Sequence, residues 1–155
     1  MSKLPTVAII GQANVGKSSL FNRLTRSRTA IVAREAGTTR DNVVGKVSYK
    51  RRNVDSAPSD DYSQFWLIDT AGLKTAEDEF EATIQDQIAD ASAAADVILV
   101  TVDSTAYPSD ADRQLAKKAL KSGKPVILIA NKADLKGSLS IDEFKRLGIK
   151  NIIKT

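Results

Sequence analysis

The 155-residue sequence contains no cysteine and no histidine. Without cysteine the chain has no disulfide, no thiolate nucleophile and no cysteine ligand for zinc. Without histidine it lacks the side chain that most often serves as a general acid or base near neutral pH. Any catalysis by this chain must therefore come from positioning, cations and carboxylates.

Long hydrophobic runs are missing as well. No apolar stretch approaches the roughly 20 residues of a membrane-spanning helix, and the first residues, MSKLPT, do not resemble a signal peptide. We therefore expect a cytoplasmic protein without a membrane partner. A chain of this length is also typical of one domain with one core.

Positive charge exceeds negative charge only modestly, with a formal net charge of +4. The basic residues nevertheless cluster between positions 23 and 52: Arg23, Arg26, Arg28, Arg34, Arg40, Lys46, Lys50, Arg51 and Arg52. This segment is either an RNA-facing surface or a solvated surface near a polyphosphate site. Since Tyr49 is the single aromatic residue within it, the second interpretation is favoured. An acidic stretch at 77–86 balances it, so charge alone does not decide about nucleic acid.

A phosphate-binding loop is the clearest motif that the sequence does contain. Residues 11–18 read GQANVGKS, the G-x-x-x-x-G-K-[ST] spacing of that loop, directly after the apolar run 6–10. Glycines let backbone amides close around phosphate oxygens, Lys17 can reach the terminal phosphates, and the Ser18 hydroxyl can bind magnesium. A strand before the loop and a helix from Ser18 to about Thr25 after it are the context that this motif requires.

The rest of the pattern predicts an open α/β sheet. Apolar runs at 65–68, 97–102 and 126–130 are typical of strands buried on both faces of a parallel sheet, and the alternation at 43–50 predicts an edge strand. Strands that alternate with helices indicate a mostly parallel sheet with helices on both faces. The segments 27–41 and 53–64 are polar and are predicted to be mobile surface loops.

Three helices are predicted after the strand at 65–68. The first carries apolar residues at helical spacing, namely Phe80, Ile84, Ile88 and Ala91. The second begins at the cap Ser109, with Asp112 three residues later, and ends at Gly123. The third is predicted between the capping pair Ser140 and Glu143 and the terminator Gly148.

The sequence Asp69-Thr70-Ala71-Gly72 follows a predicted buried strand. An aspartate at a strand end is often a turn former, but beside a phosphate loop it is well placed to act on nucleotide-bound magnesium. Gly72 has no side chain, so its amide can approach the terminal phosphate. We therefore predict that Asp69 and Gly72 contribute to the nucleotide site.

The sequence Asn131-Lys132-Ala133-Asp134 follows another buried strand and identifies the base. A carboxylate such as Asp134 can accept both the ring N–H and the exocyclic amino hydrogen of guanine, whereas adenine would leave it unpaired. A polar site of this kind can discriminate by roughly 10⁴-fold. The motif therefore predicts guanine nucleotide, GTP or GDP, as the ligand.

Thr38 and Thr39 lie in the predicted loop at 27–41, between Gly37 and Arg40. A threonine hydroxyl that completes the magnesium shell only when the terminal phosphate is present would make this loop a nucleotide-sensitive switch. A plain Gly-Thr-Thr turn is the alternative.

Taken in order, GQANVGKS, GTTRD, DTAGL and NKAD resemble the translation-factor-related GTPases, and within them the first domain of the tandem-domain bacterial ribosome-assembly GTPases of the Der or EngA family. The stretches RTAIVAREAGTTRD, FWLIDTAGL, ADVILVTVDS and KPVILIANKADL extend the resemblance over nearly the whole chain. The tRNA-modifying GTPase MnmE and the RNA-binding GTPase Era are similar alternatives. The resemblance implies a phosphate-loop GTPase domain, a slow GTP hydrolase, and contact with ribosomal particles or rRNA through the full-length protein.

Residue roles follow from the same resemblance. It implies that Ser18 and Thr39 ligate Mg²⁺, that Asp69 orients the ion through water, and that Asn131 and Asp134 read guanine. Thr39 is preferred to Thr38 because it directly precedes Arg40-Asp41. The catalytic set implied is Lys17, Thr39, Gly72 and Asn14, and the nucleotide-binding set is Gly11, Asn14, Val15, Gly16, Lys17, Ser18, Ser19, Asp69, Gly72, Asn131, Lys132 and Asp134.

Leu73 stands where many regulatory GTPases carry a glutamine that orients the attacking water, which leucine cannot do. Several hydrophobically substituted GTPases instead use a potassium ion, bound partly by an asparagine of the phosphate loop, and Asn14 matches that position. Extra positive charge at the phosphates would stabilise the transition state. The alternative to a potassium ligand is that Asn14 only stabilises the turn of the phosphate loop.

The family continues beyond the position of Thr155 into a Ser-Ala loop that contacts guanine, a last helix, a second GTPase domain and a KH-like domain. We therefore expect residues 1–155 to be one GTPase domain, truncated before that loop and helix. A fragment that binds GDP or GTP without turnover is the competing interpretation.

Overall fold

The computed structural model describes residues 4–12, 15–25, 31–34, 41–50, 62–69 and 84–155. Within them, seven strands form one sheet and three α-helices cover it. The strands are β1 (Thr6–Gly11), β2 (Ile31–Arg34), β3 (Asp41–Lys50), β4 (Tyr62–Asp69), β5 (Val97–Asp103), β6 (Val126–Asn131) and β7 (Asn151–Lys154). The helices are α1 (Lys17–Thr25), α2 (Ile84–Ala94) and α3 (Asp110–Lys121).

The sheet is mostly parallel, as predicted. Its strand order is β2-β3-β4-β1-β5-β6-β7, and all pairs from β4 to β7 are parallel while β2, β3 and β4 pair antiparallel. The next three strands along the chain, β2 to β4, lie on one side of β1, and β5 to β7 lie on the other side. A ligand site is expected at such a reversal of strand order, outside the carboxyl ends of the strands.

Two apolar cores lie on opposite faces of the sheet. On one face, α1 packs Leu20 and Phe21 against Ile9, Leu67 and Leu99. On the other, α2 and α3 approach the sheet through small side chains and pack against larger aliphatic ones. That core contains Ala91, Ala95, Ala116, Ala119, Ile98, Val100, Leu115, Leu128 and Phe144, among others. Helices on both faces were predicted from the strand and helix alternation, and the structure confirms them.

Helix α3 begins where its capping pattern predicted. The Ser109 hydroxyl accepts from the Asp112 amide, and the Asp112 carboxylate accepts from the Ser109 amide, so two otherwise unpaired donors are satisfied.

The prediction of an α-helix between Ser140 and Gly148 is wrong. Residues 141–143 and 145–147 form two short 3-10 turns, because the Ser140 hydroxyl accepts from Asp142 instead of Glu143 and Gly148 turns left-handed after one further turn.

Two strand predictions also need correction. Strand β3 is internal, because β2 pairs with it on its outer side, so the predicted edge at 43–50 is wrong. Part of the predicted loop at 27–41 is strand β2, and β4 begins at Tyr62, inside the predicted loop at 53–64. Short β-branched stretches such as Ile31-Val32 become strands once a neighbouring strand supplies hydrogen bonds. Strand β7 was not predicted.

Candidate nucleotide site

The phosphate loop joins the end of β1 to the start of α1. Gly16 has φ +94°, in the left-handed region, and Lys17 is the first residue of α1. Lys17 is 9% exposed, and its ammonium donates to the Gly11 carbonyl over 2.7 Å. The lysine at the end of the motif thus contacts the glycine at its start, and Ser18 and Ser19 follow on the exposed first turn of the helix.

Asn131 ties the base-reading segment to this loop. Its side-chain amide donates to the Val15 carbonyl over 3.0 Å and lies 3.4 Å from the Gly16 carbonyl. A Cβ atom on Gly16 would come within 2.2 Å of that amide nitrogen. Gly16 therefore meets two requirements, a left-handed turn and the close approach of Asn131.

Thr155 holds the other side of Asn131. Its hydroxyl donates to the side-chain oxygen Oδ1 of Asn131 over 2.8 Å, and its backbone carbonyl accepts from the Ala133 amide over 2.9 Å. Asn131 is 8% exposed. Its described contacts brace the segment 131–134 against the phosphate loop, and direct contact of Asn131 with guanine stays a prediction.

Lys132 and Asp134 follow at the same sheet edge. Lys132 has φ +64°, which turns the chain sharply after β6, and its ammonium lies 3.0 Å from Asp103 at the end of β5. Asp134 is exposed. The left-handed turn thus brings an exposed carboxylate and a partly buried cation to the carboxyl ends of the strands, where the sequence predicted base recognition.

The pKa of Asp103 lies below its ordinary value. Burial raises it, but hydrogen bonds from the hydroxyl and amide of Thr105 and from Lys132 more than offset this effect. Ser104, the next residue, donates through both its amide and its hydroxyl to the Asn131 carbonyl. The turn after β5 therefore supports the base-reading segment at two points.

Asp69 and Ser18 were predicted to act on magnesium. Asp69 ends β4 in register with Ile9 of β1 and is 1% exposed, while Ser18 is exposed at the start of α1. Across the described ranges no group of three or more His, Asp or Glu side chains could hold a metal ion. One buried carboxylate with a hydroxyl still fits Mg²⁺, which keeps several waters and shares its shell with phosphates.

Three predicted site residues, Asn14, Thr39 and Gly72, lie outside the described residues, as do Thr38 and Leu73. Sequence reasoning missed three others, namely Gln12, Asp103 and Thr155. The Gln12 side chain contacts Ser109 and Asp112 at the start of α3. The Ser109-Asp112 cap was visible in the sequence, but nothing local indicated that a loop about a hundred residues away would bind it.

Comparison with protein families gives a match over most of the chain. A sequence model described as 50S ribosome-binding GTPase matches residues 6–132. A protein named GTPase Der from Porphyromonas gingivalis is 43% identical over 145 residues, which are 92% of this chain and 31% of that protein. GTPase Der from Gemmatimonas aurantiaca is 40% identical over 152 residues, 96% of this chain and 32% of that protein. The chain thus spans about a third of the length of these relatives.

Solved structures agree on the fold. The G domain of the T. maritima FeoB iron transporter has a TM-score of 0.69 and 27% identity, covering 99% of this chain and 87% of that one. Aquifex aeolicus Era bound to GDP·AlF4⁻ has a TM-score of 0.66 and 28% identity, covering 99% and 51%. Era in complex with MgGDPNP and a 16S rRNA segment has a TM-score of 0.65 and 28% identity, with the same coverage.

In the described part of this chain, no helix is long and apolar enough to cross a membrane.

Proposed function

Because this chain belongs to the family of 50S ribosome-binding GTPases, we propose that it binds GTP and GDP and hydrolyses GTP. The observation that supports this most directly is the contact of the Asn131 amide with the Val15 carbonyl over 3.0 Å. It joins the loop suited to phosphate with the segment suited to guanine. A ligand that spans both must carry a polyphosphate and a base.

The phosphates would be held by the loop amides, by Lys17 and by the N-terminus of α1, which all present positive charge. Ser18 and Thr39 would ligate Mg²⁺, and Asp69 would act on it through water. The ion neutralises charge that develops on the transferred phosphoryl group. Gly72 would bring its amide to the terminal phosphate, and Leu73 leaves the attacking water without a side-chain partner at that position.

Asp134 would accept both donors of the guanine edge, and Lys132 would lie beside the base. Asp134 is exposed and accepts no hydrogen bond from the described residues, so its carboxylate is available to the donors of a bound base. Adenine would leave the carboxylate unpaired once a base covered it. We therefore propose GTP rather than ATP as the substrate.

Potassium would assist the reaction through Asn14, in place of an arginine supplied by a partner. The test is GTP hydrolysis at equal ionic strength in KCl and in NaCl, with ATP as the substrate control. We expect faster turnover of GTP in KCl, and Asn14→Ala should remove the difference. Equal negligible rates in both salts would contradict the potassium-assisted mechanism, while GDP binding measured alongside would show whether the chain still binds nucleotide.

In its full-length context we propose that this domain acts in assembly of the large ribosomal subunit. The support is identity of 40–43% to proteins named GTPase Der, against 24–28% to solved FeoB and Era domains. Era in complex with 16S rRNA makes an RNA-binding GTPase the second candidate. Co-sedimentation of the full-length protein with 50S or 30S particles, in GDP and in a non-hydrolysable GTP analogue, separates the two. Pelleting with 30S alone would contradict the first.

A further inference from the structure

Gln12, the second residue of the phosphate loop, makes a polar contact that the proposed function does not use. Its side-chain nitrogen lies 2.6 Å from the Ser109 hydroxyl oxygen and 2.8 Å from a carboxylate oxygen of Asp112. Ser109 caps α3 and Asp112 belongs to its first turn. The contact therefore joins the phosphate loop to a helix about a hundred residues further along the chain.

The acceptor in this contact is itself fixed. Asp112 is 8% exposed, and its second carboxylate oxygen accepts from the Ser109 amide over 3.0 Å. The Asp112 amide in turn donates to the Ser109 hydroxyl over 3.1 Å. A hydrogen bond to a carboxylate is stronger than one between neutral groups, and here the carboxylate cannot turn away. Gln12 thus binds a rigid acceptor.

The position of Gln12 in the chain gives this contact a consequence for the ligand. Gln12 follows Gly11 directly, and the Gly11 carbonyl accepts from the Lys17 ammonium over 2.7 Å. Holding Gln12 therefore holds the peptide on which the phosphate-binding lysine rests. We propose that Gln12 is a positioning residue, which pins the start of the phosphate loop to the cap of α3 and so raises affinity for the diphosphate of a guanine nucleotide.

The same connection reaches the base-reading segment. The turn between β5 and α3 begins at Asp103 and Ser104, which bind Lys132 and the Asn131 carbonyl, and it ends at Ser109, which binds Gln12. One stretch of seven residues therefore contacts both halves of the proposed nucleotide site. A loop ordered before the ligand arrives loses less entropy on binding, so these contacts increase affinity by preorganisation.

This inference rests on the proposed function, since its readout is GDP binding. We would measure the Kd for GDP by calorimetry for the wild type, Gln12→Ala, Gln12→Glu, Asp112→Asn and the double variant Gln12→Glu with Asp112→Asn. Gln12→Ala should weaken binding by about tenfold, because ordering the start of the loop then opposes binding by about 1.4 kcal/mol. Gln12→Glu should weaken it further, because two carboxylates then meet. The double variant should recover to within about twofold of the wild type, since amide and carboxylate have exchanged places.

The controls separate positioning from folding. Gln114→Ala and Gln114→Glu make the same chemical changes at an exposed position of α3 and should bind GDP as the wild type does. Because the reciprocal cap of Ser109 and Asp112 does not need Gln12, the unfolding temperature of nucleotide-free Gln12→Ala should stay near that of the wild type. A contact that only stabilises the fold would lower that temperature and leave the Kd for GDP unchanged.

The proposal is overturned if Gln12→Ala and Gln12→Glu both bind GDP as tightly as the wild type. It is also overturned if Gln12→Glu binds weakly and the folded double variant does not recover. Should Gln12→Glu fail to fold, Gln12→Ala still decides, because it removes the amide without adding charge. Absence of GDP binding by the wild type would instead refute the proposed function.

Discussion

Gly16 is the residue at which the geometry of the site is most constrained. Its φ of +94° is costly for any residue with a Cβ, and the space that a Cβ would fill is taken by the Asn131 amide, 2.2 Å away. The sequence motif explains the first requirement through the phosphates. The second requirement comes from a residue 115 positions later and needs the fold to be seen.

Gly16→Ala should therefore both strain the backbone and displace Asn131. Gly137→Ala is the matched control, because Gly137 has φ +88° but open space around the added Cβ. We expect Gly137→Ala to cost about 1 kcal/mol of stability from the left-handed conformation alone and to leave GDP affinity unchanged. Gly16→Ala should lower stability by more than Gly137→Ala does and should weaken GDP binding by more than about tenfold. Thermal unfolding measures the first effect and calorimetry the second. Equal effects of the two variants would contradict this account.

Asp103 predicts a pH dependence of stability. Its pKa is lower in the folded chain than its ordinary value of 3.8, so ionised Asp103 stabilises the fold above that value, and the contribution disappears as the pH falls through the folded pKa. The difference in unfolding free energy between the wild type and Asp103→Asn should be constant from neutral pH down to about 5 and then shrink toward lower pH. A difference that does not change with pH would contradict the assignment. Denaturant unfolding at a series of pH values makes the measurement.

At the scale of single elements, α3 shows what a local pattern can and cannot predict. The Ser109-Asp112 pair predicted the start of α3, and Gly123 its end, because a capping box satisfies amide donors within four residues of sequence. The similar pair Ser140 and Glu143 did not produce an α-helix. Phe144 is fully buried against the core beside α3, so tertiary packing fixes 3-10 turns there and overrides the local pattern.

Ser109→Ala tests the contribution of the cap at the start of α3 to stability. It removes the cap of a twelve-residue helix, so it should destabilise the fold by about 1 kcal/mol in thermal or denaturant unfolding. Ser140→Ala removes the corresponding hydroxyl from a three-residue turn and should cost less. A larger loss of stability for Ser140→Ala than for Ser109→Ala would contradict this prediction.

At the scale of the whole molecule, the alternation of apolar runs and helices predicted the parallel sheet. The motifs lie at the ends of β1, β4 and β6, so the proposed site is at one edge of that sheet. Long apolar runs such as 97–102 indicate a buried strand in the sequence itself. By contrast, β2 and β7 have four residues each and form because a neighbouring strand pairs with them. The register that sets Asp103 beside Asn131 is a property of the sheet. Contacts such as Gln12 with Ser109 therefore could not be predicted from local sequence.

The most direct test of the account is the base preference of the wild type and of Asp134→Asn. If Asp134 accepts the two donors of guanine, the wild type should bind GDP far more tightly than XDP, because xanthine carries a carbonyl in place of the amino group. The asparagine amide can donate to that carbonyl, so Asp134→Asn should bind XDP more tightly than GDP. Calorimetry with both nucleotides gives the answer. A variant that keeps the preference for GDP would contradict the assignment of the nucleotide site.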